Sequence, residues 1–174
     1  MTHDYSRAIK YYENQIQNDP KLFDLRTDLA ELYKKLKAYE EARRVLTDAL
    51  KILKEQRDDL QNKIFNVQYL MLYAKCNLEE DMQYSNWRFK ENTVARQALI
   101  EARAIQSTII ELCREVQADR LDEEREIAAE ISYQLGKYDE ERRGDNQAAI
   151  EAYSDCLKKQ SEHKQATVSL AKLY

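Results

Sequence analysis

Three cysteines, two histidines and a surplus of carboxylates are the groups in this 174-residue chain able to do covalent or acid–base chemistry. Cys76, Cys113 and Cys156 are an odd, widely spaced set that matches neither a disulfide framework nor a zinc cluster. A reducing compartment suits them. His3 and His163 are 160 residues apart, and neither stands in a His-Glu-x-x-His or Glu-x-x-His spacing. With two glycines in the whole chain, no loop can cradle a phosphate. Glu123, Glu124, Glu126 and Glu130 crowd one segment, and such a run reads as a solvated helix face. No Ser or Cys has a nucleophile context. These residues predict no catalytic site, no metal and no cofactor.

The elements that would position any site are helical almost throughout. Two Gly and one Pro are too few for the turns of a sheet-rich fold. Charged residues make up 34% of the chain and are mixed along it, as on the outer faces of amphipathic helices. Mean hydropathy of −0.81 predicts a thin core, and the pI near 5.4 with net charge −4 opposes nucleic-acid binding. No stretch approaches the roughly 18 apolar residues of a membrane span. The N-terminus has no signal-peptide apolar run.

Apolar residues at 5, 8, 9, 12 and 16 mark a first helix, ended by Asn18-Asp19-Pro20. Further helices are predicted over 23–35, 39–56 and 60–78, with Asp58-Asp59 as N-cap of the last. Residues 79–92 read as a loop insertion. Helix resumes over 93–118, breaks at Asp119-Arg120, and runs again over 122–141. Arg142 to Asp145 reads as a turn with Gly144, followed by helices over 146–159 and 161–174.

Tyr5, Ala8 and Tyr12 recur as Tyr39, Ala42 and Leu46, each 34 residues later. A period of about 34 with small and large residues alternating on paired helices resembles the tetratricopeptide repeat. Leu29, Ala30 and Tyr33 fill the first helix of the clearest repeat, and Ala42, Leu46 and Ala49 fill the second. Leu135-Gly136 with Ala149, Tyr153 and Cys156, and then Leu170-Ala171-Tyr174, restate the pattern. The middle departs from it: Ala42 to Ala74 is 32 residues and Ala95 to Gly136 is 41, against about 22 in a regular array. The reading is an all-α tetratricopeptide-like solenoid, a right-handed α-α superhelix with long irregular middle helices. Regular repeats occupy 1–57 and 121–174, and the irregular portion 58–120 carries the insertion 79–92. The chain opens on a second helix and closes on a first helix, so it reads as a slice of a longer solenoid.

Three segments in order look more specific: Asp28 to Leu46, Ala95 to Gln106, and Ala148 to Leu157, with an Ala-Ala-Glu-Ile segment at Ala128–Ile131. Together they resemble the large tetratricopeptide-repeat subunit of intraflagellar transport complex A. The insertion at 79–92 departs from that pattern. The resemblance implies a protein-binding scaffold in cytoplasm and cilium or flagellum. Its partners would be sibling complex A subunits and cargo adaptors, and its roles retrograde transport and cilium assembly. The competing reading is a peptide-binding adaptor or co-chaperone outside the cilium. That class needs an Asn beside the small residue of the first helix, where this chain has Glu31 or a Lys.

In such repeats the first helices line the concave face, and the position after the small residue points into it. Those positions are Glu31, Lys75, Lys137 and Lys172. The three lysines form either a ladder for an acidic segment or ordinary solvated faces. Asp24, Thr27, Gln68 and Val168 are neighbouring candidates, and Met71 and Tyr133 are either apolar anchors or core. Tyr84, Trp87 and Phe89 make a second candidate patch, either presented to a partner or folded back on the chain.

Overall fold

The computed structural model describes residues 2–84, 87 and 91–174, with backbone alone for 2 and 3. Phe89 lies outside the described residues. Among the described residues eight α-helices follow one another: α1 (Thr2–Asn18), α2 (Phe23–Lys35), α3 (Tyr39–Lys54), α4 (Leu60–Asp81), α5 (Thr93–Val116), α6 (Leu121–Tyr138), α7 (Asn146–Lys159) and α8 (Lys164–Leu173). Each packs on the next, and α2 also meets α4 across α3. This neighbour-on-neighbour stacking is that of an α-solenoid, whose core is a chain of small clusters.

Polar side chains cap the starts of α4, α5, α7 and α8. Asp59, Asn92, Asp145 and His163 each accept a backbone N–H three residues on, at 2.9 to 3.1 Å. Pro20 ends α1's segment, and its carbonyl is held by the Arg26 side chain at 3.1 Å. The α2–α3 turn is a Schellman closure: Ala38 N–H donates to Tyr33 O and Lys37 N–H to Lys34 O. Lys37 itself takes the left-handed conformation (φ 60°), where glycine is the usual choice.

The first core cluster joins Ala30, Ala42, Leu46 and Ala49 to Tyr69 and Cys76 of α4. Small residues at the helix crossing let the backbones approach and the larger ones interlock. Tyr69 reaches back from α4 to donate to Phe23 O at 2.7 Å, and burial pushes its hydroxyl pKa up. Tyr33 donates to Glu13 at 2.7 Å and ties α2 to α1. Burial, reinforced by that bond, raises Tyr33 to about 12. The central cluster lies between α4, α5 and α6, around Leu70, Leu99, Ile109 and Leu135. The last joins α6, α7 and α8 around Tyr153.

The middle helices are the long ones, 22 residues in α4 and 24 in α5. Beside shifts of two or three residues at the ends of α3 and α5 and the start of α8, three boundaries differ in kind from the sequence expectation. Helix α4 continues through Glu79, Glu80 and Asp81, because its last turn is held by Arg142. The expected break at Asp119-Arg120 is a 3₁₀ turn, Ala118–Arg120, that leads straight into α6. The end of α6 widens into a π-helical turn, Asp139–Arg143, before Gly144 (φ 63°). All three cysteines are buried and unpaired. Desolvation raises Cys76 and Cys156 to about 11 and shifts Cys113 in the same direction, so none is poised as a thiolate.

A Cβ on Gly136 would sit 2.7 Å from Cε1 of Tyr153, inside the α6–α7 contact. Gly136→Ala should destabilise the chain by about 1–3 kcal/mol in urea unfolding. Lys37→Gly should do the opposite and raise stability by about 0.5–1 kcal/mol, since it removes the left-handed penalty. An unchanged midpoint for either variant would contradict the corresponding contact or turn.

Candidate functional site

The site is a groove of about 600 Å³ bounded by α2, α4 and α6. Its floor and walls follow from helix spacing. Gln68, Met71, Lys75, Leu78 and Met82 advance by threes and fours, and the last of them caps the end of α4. Glu130, Gln134, Lys137 and Glu141 advance likewise along α6 and its π turn. Thr27 and Glu31 bring in α2.

One end is closed by a buried polar cluster. Arg142 Nη1 donates to Asp81 Oδ2 at 2.9 Å, with both side chains under a tenth exposed. Its Nη2 reaches Leu78 O at 3.4 Å, a carbonyl in the last turn of α4 that also accepts the Met82 N–H. Asn92 caps α5, donates through Nδ2 to Asp81 Oδ2 at 2.9 Å, and gives its backbone N–H to the Tyr138 hydroxyl at 2.7 Å. Arg96 of α5 pairs with the buried Asp139 at 2.9 Å, and Arg143 pairs with the same carboxylate at 2.9 Å. The Trp87 ring lies 5.0 Å from the Arg142 guanidinium carbon, in cation–π range. The C-terminus of α4, the N-terminus of α5 and the end of α6 are thus pinned at one point.

The sequence-derived candidates separate on this geometry. Glu31, Met71, Lys75, Lys137 and Trp87 line the one groove, as do Thr27 and Gln68. Lys172 is exposed on α8 and is not among the groove residues, so only two of the three lysines share this surface. Tyr133 is half-buried against the last core cluster and outside the groove lining: it packs 5.8 Å from Tyr153 and 4.9 Å from His163, and burial raises its pKa. Tyr84 is 56% exposed and also outside the groove lining, as are Asp24 and Val168.

Sequence reasoning missed Leu78, Glu79, Glu130, Gln134 and Glu141. The three-and-four steps from Met71 and from Lys137 were the signal that reaches most of them. It missed the Asp81–Arg142 pair entirely, because charged residues of opposite ends of the pattern carry no mark of burial. Elsewhere a second buried cluster stitches α5 to α6: Gln106 donates to Glu124 O and Oε2, both at 2.8 Å, and Arg120 holds Glu124 Oε1 at 2.9 Å.

An open groove with an apolar floor and charged walls, on a stack of paired helices, defines a helical-repeat interaction scaffold. Solved structures agree on the fold. Two described as crystal structures of MamA superpose with TM-scores of 0.66 and 0.63 at 19% identity; each covers 99% of this chain, and the chain covers 78% and 73% of theirs.

The sequence model of the family described as "Tetratricopeptide repeat protein 21 forth ARM domain" matches residues 1–157, and the chain belongs to that family. Tetratricopeptide repeat protein 21B of Homo sapiens is 30% identical over 173 residues, and its Mus musculus counterpart 31%. Tetratricopeptide repeat protein 21A of Mus musculus is 30% identical over 177. These matches cover 99% of the chain, which spans 12% of each relative.

Arg142→Met alone strands a buried carboxylate and should cost about 3–5 kcal/mol. The double variant Asp81→Leu, Arg142→Met should recover most of that loss. Urea unfolding of the two variants checks this, and equal destabilisation of both would mean that packing, not the charge pair, sets the cost.

Proposed function

We propose that this chain is a protein-binding segment of an intraflagellar transport complex A subunit, acting in retrograde ciliary transport and cilium assembly. Its partners are sibling complex A subunits and cargo adaptors, met in the cytoplasm and the cilium. The observation that carries this reading is the family match across residues 1–157, joined to a groove of a size that takes a partner segment. Neither nucleic acid nor insertion into a membrane enters it: the net charge is −4, and among the described residues no helix is long and apolar enough to cross a bilayer.

The groove fits such a role physically. Met71 and Leu78 offer half-buried apolar surface, which a partner side chain can cover at small desolvation cost. The charged walls set register and exclude wrong partners more than they add affinity. The co-chaperone alternative wants a carboxylate clamp of Asn and paired basic residues; here the walls carry Glu31, Glu79, Glu130 and Glu141.

The test is affinity purification of the tagged chain from ciliated cells, read by mass spectrometry, beside Met71→Asp. Complex A subunits should co-purify with the unaltered chain and fall at least about tenfold with the variant, the loss expected when an apolar anchor becomes charged. Absence of complex A subunits from the unaltered chain's eluate would overturn the reading.

A further inference from the structure

Counting the charges around the groove reverses the polarity that the lysines alone suggest. Among the described residues four carboxylates line it, Glu31, Glu79, Glu130 and Glu141, against the ammonium groups of Lys75 and Lys137. Arg142 is also there, but its charge is matched by Asp81. Glu79 shares Lys34 at 3.6 Å, so even with that pair set aside three carboxylates face two lysines. His163 approaches Glu130 Oε2 at 3.4 Å through Nε2, while its Nδ1 accepts the Ala166 N–H.

The layout matters as much as the count. Met71, Leu78 and Met82 run along α4 as an apolar line, with Glu31 of α2 on one side and Glu130 and Glu141 of the α6 side on the other. From Met71 to Met82 is 82 − 71 = 11 residues, or about 16 Å of helix, roughly three turns. An acidic rim on both sides of an apolar strip of that length is the complement of an amphipathic helix with a narrow apolar stripe and basic flanks. The chain's net charge of −4 steers the same class of partner toward it.

We propose that the groove takes a basic amphipathic helix of a partner protein, about three turns long, with aliphatic residues on Met71, Leu78 and Met82 and Lys or Arg side chains against Glu31 and Glu141. This rests on the groove's being the interaction surface and adds the chemistry of its occupant. A segment with acidic flanks meets like charge on both walls and binds more weakly. Lys75 and Lys137 then serve as discrimination: a uniformly cationic peptide is repelled at the middle of the groove, and one with basic residues at its outer positions is accepted.

The experiment uses the full chain and two fluorescein-labelled helical peptides of about 14 residues. Both have leucines at i, i+3/4 and i+7; one has lysines flanking that stripe and the other glutamates. Fluorescence anisotropy at about 150 mM salt reads each affinity. The lysine peptide should bind at least about tenfold more tightly than its twin. Glu31→Lys, Glu141→Lys should remove about tenfold of that affinity, and Glu31→Gln, Glu141→Gln a smaller part. Glu115→Lys, Glu123→Lys changes the net charge equally, at exposed positions outside the groove lining, and should lower binding less than about threefold.

Circular dichroism confirms that each variant is folded. Preference for the glutamate peptide, or equal losses from the groove pair and the distant pair, overturns the proposal. Purification from ciliated cells separates the two failures. If Met71→Asp still sheds complex A subunits, the groove stands as the interaction surface and only the polarity is wrong. If the unaltered chain captures none, the functional reading falls with it.

Discussion

A single buried ion pair, Asp81 with Arg142, fixes the relation of the long middle helices to the repeats that follow. A carboxylate and a guanidinium removed from water each carry a desolvation cost that only close pairing and further hydrogen bonds offset. The further bonds are present. Asn92 donates to Asp81, and Arg142 also reaches the Leu78 carbonyl. A cation at the C-terminal carbonyls of α4 is favourable for the helix dipole as well. The same Asn92 caps α5, so the loss of one charge would loosen a helix end, a helix start and the π turn together.

From that point outward the packing is ordinary solenoid packing, made close by small residues. Ala30 and Ala42 are fully buried where α2 crosses α3. Gly136 does the same work against Tyr153, whose hydroxyl is anchored on Glu140 at 2.6 Å. Ser132 donates to Asp155 at 2.6 Å on the same α6–α7 interface, and Lys159 pairs with that carboxylate. Burial opposes ionisation of Asp155, yet the hydrogen bonds from Lys159 and Ser132 prevail and hold its carboxyl below the usual range. The stack packs mainly neighbour on neighbour, with α2 also meeting α4, and the groove lies along α2, α4 and α6.

The groove's character therefore belongs to the fold and not to any one repeat. Several helices contribute, α4 and α6 most of all, and their sum is apolar along the floor and acidic along the walls. Among the described residues of the groove, Lys75 and Lys137 are exposed side chains and Arg142 is paired with Asp81. The groove's capacity is for recognition, by shape along the Met71–Met82 line and by charge at the rim.

The helices and their order were legible in the sequence because period, caps and small-residue positions are local. Asn146–Lys159 matched to the residue, Asp59 capped α4 as its position suggested, and the 34-residue spacing of Ala8 and Ala42 declared the repeat. Glu31, Lys75 and Lys137 were legible as groove residues for the same reason, each one step from a small buried residue. What the sequence left undetermined was everything set by which distant residues meet. Tyr133 and Lys137 lie four residues apart on one helix, and only the docking of α7 and α8 half-buries the first against the last core cluster. The last turn of α4 looked like loop until Arg142, 61 residues on, supplied its counter-charge. The sign of the groove depended on carboxylates from three helices at once. A helical period records what one helix hides from water; it holds no record of the charges that a neighbouring helix will bring alongside, and those decide polarity and closure.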